Sequence, residues 1–182
     1  MIPCITSLSE PEPAWYAVHT RCHAEARVAE ALSLRKLEHY LPVFREVHRW
    51  KDREKTIYSP VFPGYVFGRF PNAPAARRQV LEARGVVRIL GGPGGIERVP
   101  DGEIEGVRTL LESQLHCEGH PLISEGAWVK VKSGPLEGLE GSLVRIKNKK
   151  RLVVSIDLLG RSISAEIGAT AVTVLRAAPK RA

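Results

Sequence analysis

The stretch SPVFPGYVFGRF, Ser59 to Phe70, places four aromatic residues, two prolines and two glycines within twelve positions. The dipeptide Pro63-Gly64 predicts a turn or bulge, and a β-strand should follow it. Alternation gives this strand two faces: Tyr65, Phe67 and Arg69 on one, and Val66, Gly68 and Phe70 on the other. One face must cover a core. The aromatic residues of the other face then belong to a second core or to an exposed protein-binding patch.

The residues around this stretch predict an α+β layer. Trp15 to Thr20 is apolar and partly β-branched, which indicates a buried strand. The patterns predict these further elements: a helix from His23 to about Leu37, a long hairpin that leads through a charged turn into the opening stretch, a short helix over 74–84, a strand over 85–90, and a helix from Asp101 to about Leu115. This order favours an N-terminal antiparallel sheet with flanking helices, which we expect on one side.

The remainder of the chain predicts a separate, smaller unit. Residues 113–122 have no clean periodicity, so we assign them to a short linker between domains at 13–112 and 123–177. About five short strands follow, separated by glycines and charged turns, and this spacing predicts a small SH3-like β-barrel.

Composition narrows the class of partner. The chain has 182 residues, of which 43% are hydrophobic, and this length suits one or two domains. The formal charge of +7 favours a polyanionic partner such as nucleic acid, although an acidic protein would also fit. Residues 13–112 carry sixteen Lys/Arg against twelve Asp/Glu, and residues 113–182 carry eleven against six. Both halves are therefore basic, and no single tail carries the excess.

Several classes of protein receive no support from the residues. Cys4, Cys22 and Cys117 are odd in number and widely separated, so we expect free thiols in a reducing compartment. The segment His116–His120 lacks the spacing of a metal site, and we predict neither a metal nor a cofactor. No apolar run is long enough to cross a bilayer, so we expect a cytoplasmic monomer with no membrane contact. No nucleotide-binding loop or nucleophile elbow is present, and we predict no enzymatic activity.

The segment GPLEGLEG, Gly134 to Gly141, indicates tight turns in the C-terminal unit. We expect Gly134, Gly138 and Gly141 at positions where the chain turns sharply with positive φ. An ordinary glycine-rich hairpin would show the same spacing. The segment alone therefore leaves both interpretations open.

These segments together resemble a known family. GPLEGLEG is similar to the KOW motif of NusG-type transcription factors, while WYAVHT and FPGYVF resemble the first strand and the signature strand of the NusG N-terminal domain. The order and spacing of all three agree, and the resemblance covers about residues 14–176. Within the family, VHTRCHAEARVAEAL and RLVVSIDLLGRSISAEI most resemble specialised UpxY-type antiterminator paralogues.

The resemblance implies several binding residues. Contact with the clamp helices of RNA polymerase would use Phe62, Tyr65 and Phe67, with His19 on the neighbouring strand. Contact with the non-template DNA strand would use Arg21, Arg27 and Arg84; their alternative interpretation is a solvated basic face. A NusE-type ribosomal protein or Rho would bind the barrel through Leu136, Leu158, Leu159 and Arg161. Leucines stand where common NusG proteins have aromatic residues. We assign no role to Arg77 and Arg78.

The resemblance thus implies a transcription elongation and antitermination factor that suppresses pausing and promotes readthrough of terminators in particular operons. Two alternatives remain at this point: a KOW-type RNA-binding or ribosome-associated module, and a general NusG factor that couples to Rho or the ribosome. A ribosomal module would not need the aromatic FPGYVF strand, which favours the elongation factor.

Overall fold

The structure is a computed structural model that describes residues 11–50, 53–123, 126–146, 149–167 and 172–176. Three α-helices lie in the N-terminal part: α1 (Glu25–Leu34), α2 (Pro74–Leu81) and α3 (Asp101–Glu112). They are shorter than the predicted helices by a few residues at their ends. Pro74 begins α2 at a position where a helix tolerates proline, since the first amide groups have no helical acceptor.

The described residues of the N-terminal part contain nine strands. They are β1 (Ala14–Thr20), β2 (Glu38–Tyr40), β3 (Val43–Trp50), β4 (Arg53–Pro60), β5 (Tyr65–Phe70), β6 (Val86–Ile89), β7 (Gly91–Gly92), β8 (Gly95–Ile96) and β9 (Arg98–Val99). The main sheet has the order β2-β5-β1-β6, with β9 also paired to β1. Its pairs are antiparallel, as predicted.

The hairpin of β3 and β4 ends at Pro60, inside the opening stretch, and does not include the aromatic strand β5. β3 and β4 form their own two-stranded sheet, whereas β5 joins the main sheet beside β1. Residues 61–64 separate the two sheets, and Pro63-Gly64 provides the turn. Gly64 has φ +88°, a conformation that favours glycine.

Helices cover both faces of the main sheet, and the expectation of helices on one side is wrong. Tyr16 and Val18 of β1 pack with α1 and α2 in one apolar cluster. Trp15 and Ala17, whose side chains point the other way, pack with α3 in a second cluster. Because β1 is apolar on both faces, each face requires its own cover.

The C-terminal part forms one antiparallel sheet in the described residues. Its strands are β10 (Cys117–Pro121), β11 (Ala127–Val131), β12 (Glu140–Ile146), β13 (Lys149–Ile156), β14 (Arg161–Glu166) and β15 (Val172–Arg176). The order is β10-β14-β13-β12-β11-β15, and a 3₁₀ turn at Asp157–Leu159 joins β13 to β14. The end strands β10 and β15 do not pair with each other within these ranges, so the predicted barrel is not closed. The mixed α+β architecture is confirmed.

Two predictions about the connecting and glycine-rich segments differ from the structure. Within the predicted linker, Cys117–Pro121 is a strand paired with β14. Gly134 and Gly138 have positive φ, as expected, but Gly141 does not. A Cβ at Gly141 would lie 2.5 Å from the Val153 carbonyl oxygen, so this glycine permits close approach of two strands.

The C-terminal sheet packs against α3. A Cβ at Gly106 would lie 2.9 Å from Cγ1 of Val154, which shows how closely helix and sheet approach. Val107 and Leu110 of α3 belong to the same apolar cluster as Leu152 and Ile163 of the C-terminal sheet. One continuous core therefore joins the two parts of the chain.

Candidate protein-binding and nucleic-acid-binding surfaces

We call His19, Phe62, Tyr65 and Phe67 the aromatic surface. Tyr65 begins β5 and lies opposite His19 of β1 in the antiparallel register. Their ring centroids are 5.3 Å apart, and those of Phe62 and Phe67 are 5.9 Å apart in an edge-to-face arrangement. The structure thus brings the four residues together as two adjacent ring pairs.

The two ring pairs differ in exposure. Phe62 is 1% exposed and Phe67 is 0% exposed, and both belong to the core shared with the C-terminal sheet. Tyr65 and His19 are half-buried. In this arrangement Tyr65 and His19 are accessible to a partner. Phe62 and Phe67 belong to the buried cluster against which Tyr65 packs.

A buried glutamate fixes the turn before β5. The amide of Gly64 donates to Oε1 of Glu25 at 2.7 Å, and its carbonyl accepts from the amide of Thr20 at 2.8 Å. Glu25 is the first residue of α1 and is buried. The turn is therefore tied to both α1 and β1. Sequence patterns did not identify Glu25, because a glutamate at the start of a helix is usually solvated.

Strand β10 lies beside the aromatic surface. A Cβ at Gly119 would lie 3.8 Å from the Val61 carbonyl oxygen and 3.9 Å from the Phe44 ring. Val61 immediately precedes Phe62 in the chain. Strand β10 therefore lies next to the residue that precedes the aromatic surface in the chain.

A charged cluster attaches β10 to the C-terminal sheet. Nη2 of Arg151 donates to Oε1 of Glu118 at 2.8 Å, and its Nη1 donates to Oγ of Ser164 at 3.2 Å. The Arg151 side chain is 7% exposed and that of Glu118 is 37% exposed. The hydrogen bond from Arg151 lowers the pKa of Glu118. His120 Nε2 lies 2.9 Å from Oγ of Ser164 and adds a second polar contact.

The predicted DNA-binding arginines are exposed. Arg21 and Arg84 lie close together, because the amide of Arg21 donates to the carbonyl of Gly85 at 2.8 Å. Arg27 lies on the exposed side of α1. None of the three guanidinium groups makes an ion pair with another residue in the described part of the chain. They are available to a polyanion.

The candidate surface of the C-terminal sheet is only partly accessible. Leu136 is 2% exposed, Leu158 and Leu159 are half-buried against the shared core, and Arg161 is exposed. Leu158 and Leu159 lie in the 3₁₀ turn, next to Asp157. The amide of Asp157 donates to Oε2 of Glu103 in α3 at 3.3 Å. The turn that carries these leucines therefore contacts the N-terminal part.

A cavity of about 1080 Å³ separates part of α3 from the C-terminal sheet. Glu103 and Asp157 lie in its wall. Burial raises the pKa of Glu103 to about 7, and the nearby Asp157 carboxylate acts in the same direction. The contact between the two parts therefore includes an acid whose protonation changes near neutral pH.

The described residues contain no group of three His, Cys, Asp or Glu side chains arranged to hold a metal ion. Nε2 of His116 lies 3.2 Å from Oε1 of Glu118, and the Cys117 thiol contacts the Leu110 carbonyl oxygen at 3.4 Å. Burial raises the pKa of Cys117 to about 11. No helix in the described ranges is long and apolar enough to cross a membrane.

Comparisons with known proteins agree with this architecture. Residues 13–108, more than half of the chain, match the family model for NusG, the transcription termination factor nusG. The chain is 28% identical to the transcription termination/antitermination protein NusG of Rickettsia conorii, over 84% of this chain and 85% of that protein. It is 23% identical to the corresponding protein of Borreliella burgdorferi, over 85% and 94%. A solved structure concerning domain interaction in Thermotoga maritima NusG superposes with a TM-score of 0.54 at 20% identity, covering 91% of this chain and 98% of that one, which shows a similar fold.

Proposed function

Because this chain belongs to the NusG family of transcription termination and antitermination factors, we propose that its N-terminal part binds the clamp helices of RNA polymerase. The observation that carries this proposal is the half-buried pair of Tyr65 and His19, whose rings lie 5.3 Å apart at one end of the main sheet. A partly exposed tyrosine on a rigid base is typical of the anchors of protein interfaces.

The surroundings of this pair support a preformed binding surface. The β1–β5 register sets the position of Tyr65, and Glu25 holds the turn that precedes it. Binding then costs little ordering of the side chain. Phe62 and Phe67 act as the base of the surface. Any direct contact of these two with the polymerase requires the C-terminal sheet to move away.

Exposed arginines favour a second contact, with the non-template DNA strand. Arg21 and Arg84 meet at the corner between β1 and β6, and Arg27 projects from α1. Guanidinium groups bind phosphates and also stack on bases, so these residues suit a single strand held beside the polymerase.

The proposed mechanism depends on differential affinity and involves no chemical step. A factor that binds the closed clamp more tightly than the open clamp favours elongation over pausing. About 1 kcal/mol of difference changes the occupancy of the paused state several-fold. We propose that this effect promotes readthrough of terminators in particular operons, with the C-terminal sheet serving as a KOW module for a NusE-type ribosomal protein or Rho.

The test is binding of the wild type and of Tyr65→Ala to a purified bacterial elongation complex, with pause lifetimes recorded in parallel. Tyr58→Ala is the matched control, because Tyr58 is 62% exposed on β4, which belongs to a different sheet from β1 and β5. We expect Tyr65→Ala to weaken binding at least tenfold, the loss expected of an interface anchor, and Tyr58→Ala to bind normally. Wild-type protein that does not bind the complex, yet retains affinity for free RNA, would favour the KOW-type RNA-binding alternative.

A further inference from the structure

A groove of about 480 Å³ lies between α2 and β6, away from the aromatic surface. Its lining combines arginines with aliphatic side chains. The residues that matter here are Arg77, Arg78, Arg88, Leu81, Ile89 and Ile96. Leu81 is 49% exposed, so part of the aliphatic lining is open to solvent.

The arginines of the groove have no ion-pair partner among the described residues. No acidic side chain lines the groove. In the part of the chain that the structure describes, none of the three guanidinium groups forms a hydrogen bond or an ion pair. Arg78 and Arg88 are exposed, and Arg77 is half-buried. Three adjacent cations without counter-charges attract an anionic partner.

The groove continues the basic surface at Arg21 and Arg84. Arg84 follows α2 and precedes β6, the two elements that form the groove. The amide of Arg21 donates to the carbonyl of Gly85, at the end of the same connection. A basic band therefore runs from the start of α1 past the end of α2 to the groove.

We propose that this groove binds single-stranded nucleic acid, with phosphates on Arg77, Arg78 and Arg88 and bases against the guanidinium planes and the aliphatic side chains of the lining. An extended polyanion can place a phosphate on each of the three guanidinium groups. The same strand can then extend to Arg21 and Arg84. Arginine supplies both phosphate pairing and a planar stacking surface, and sequence-independent recognition of a single strand uses both. The inference rests on the proposed function only in placing nucleic acid on this side of the molecule.

The test measures fluorescence anisotropy of a labelled twelve-nucleotide single strand, as DNA and as RNA, with the full chain and no polymerase. The variant is Arg77→Ala/Arg78→Ala/Arg88→Ala. We expect affinity at low salt to fall about tenfold or more. The slope of log K against log salt should flatten by about 2, because each phosphate on a single strand contributes about 0.7.

A charge-matched control is Arg45→Ala/Lys55→Ala/Lys132→Ala, in which three exposed cations are removed elsewhere. It should bind the oligonucleotide nearly as the wild type does. If the triple groove variant does not fold, as judged by circular dichroism, the single variants Arg78→Ala and Arg88→Ala replace it. Each should flatten the salt slope by about 0.7.

Two results would overturn the inference. One is equal loss of affinity in the groove variant and in the control, because the effect would then follow net charge alone. The other is an oligonucleotide affinity of the groove variant equal to that of the wild type. If that variant also bound the elongation complex less tightly, the groove would be assigned to an acidic protein segment instead. The assay contains no polymerase, so failure here is distinct from failure of Tyr65→Ala to affect the elongation complex.

Discussion

Strands β1 and β10 differ in their places within their sheets and in the interactions that hold them there. β1 is central in the N-terminal sheet, and four consecutive residues, 15–18, are buried in two apolar clusters. β10 is an edge strand with no buried residue, and its best-defined contact is the ion pair between Glu118 and Arg151. The apolar pattern of β1 is visible in seven residues of sequence. The ion pair of β10 joins residues that are 33 positions apart in the chain.

This difference predicts different responses to substitution. Burial of an aromatic side chain stabilises in proportion to the apolar area removed from water, and its loss leaves a cavity. A buried ion pair contributes less on balance, but removing one partner leaves an uncompensated charge. The comparison can therefore be tested by replacing one side chain in each strand with alanine and measuring the free energy of unfolding.

The largest effect is expected for Trp15→Ala in β1. Trp15 is 3% exposed and packs in the core shared by both parts of the molecule. We expect the free energy of unfolding to fall by about 3–5 kcal/mol. Urea denaturation followed by circular dichroism measures it. Trp128→Ala is the control: Trp128 is 45% exposed, and its loss should cost less than about 1 kcal/mol. Similar losses in both variants would contradict the assignment of Trp15 to the core.

A smaller effect is expected for Glu118→Ala in β10. The substitution removes the carboxylate from the buried Arg151 guanidinium, which keeps its hydrogen bond to Ser164. Because Glu118 is partly open to solvent, we expect a loss of about 2 kcal/mol, below the range for fully buried pairs. The segment 113–123 should also become more sensitive to proteolysis. Urea denaturation and limited digestion measure the two effects.

The double variant Glu118→Ala/Arg151→Met separates charge from packing. It removes the unpaired guanidinium and keeps an apolar side chain of similar length. We expect it to recover most of the stability lost in Glu118→Ala, because apolar replacements of buried pairs are often neutral. A double variant that is less stable than either single variant would show that the ion pair itself stabilises β10.

The same contrast explains which features the sequence predicted. β1, α1 and α3 were found within a few residues because each has a local apolar period. β10 was assigned to a linker because CEGHP has no such period. The expectation of helices on one side failed because the sequence does not show which cluster each helix joins. His19 and Tyr65, which the family resemblance grouped, lie opposite each other in the register of β1 and β5.

The candidate site was predicted less completely than the fold. The burial of Phe62 and Phe67 depends on α3 and on a sheet more than fifty residues away in sequence. Glu25 was missed because its acceptor role depends on the tertiary position of Gly64. Arg88 was missed because its relation to Arg77 and Arg78 arises only when β6 packs beside α2.

The smallest expected effect concerns the contact between α3 and the C-terminal sheet. Burial, together with Asp157, raises the pKa of Glu103 from the ordinary glutamate value of 4.5 to about 7. The folded state therefore retains a proton that the unfolded state releases between these pH values. Stability supplied by this group is fully present below about pH 4.5 and is lost as pH rises through about 7. Because Glu103 is partly exposed, solvent screening limits the change to about 1 kcal/mol.

Glu103→Gln should remove this pH dependence, because the amide stays neutral and its oxygen can still accept from the Asp157 amide. The measurement is the difference in unfolding free energy between variant and wild type from pH 5 to pH 8, where other titrations largely cancel. We expect the variant to gain stability relative to the wild type as pH rises. Asp157→Asn should give part of the same gain, since burial is the larger cause and remains. A constant difference across this range would show that Glu103 is not buried by the C-terminal sheet in solution, and the shared core would then lose one of its contacts.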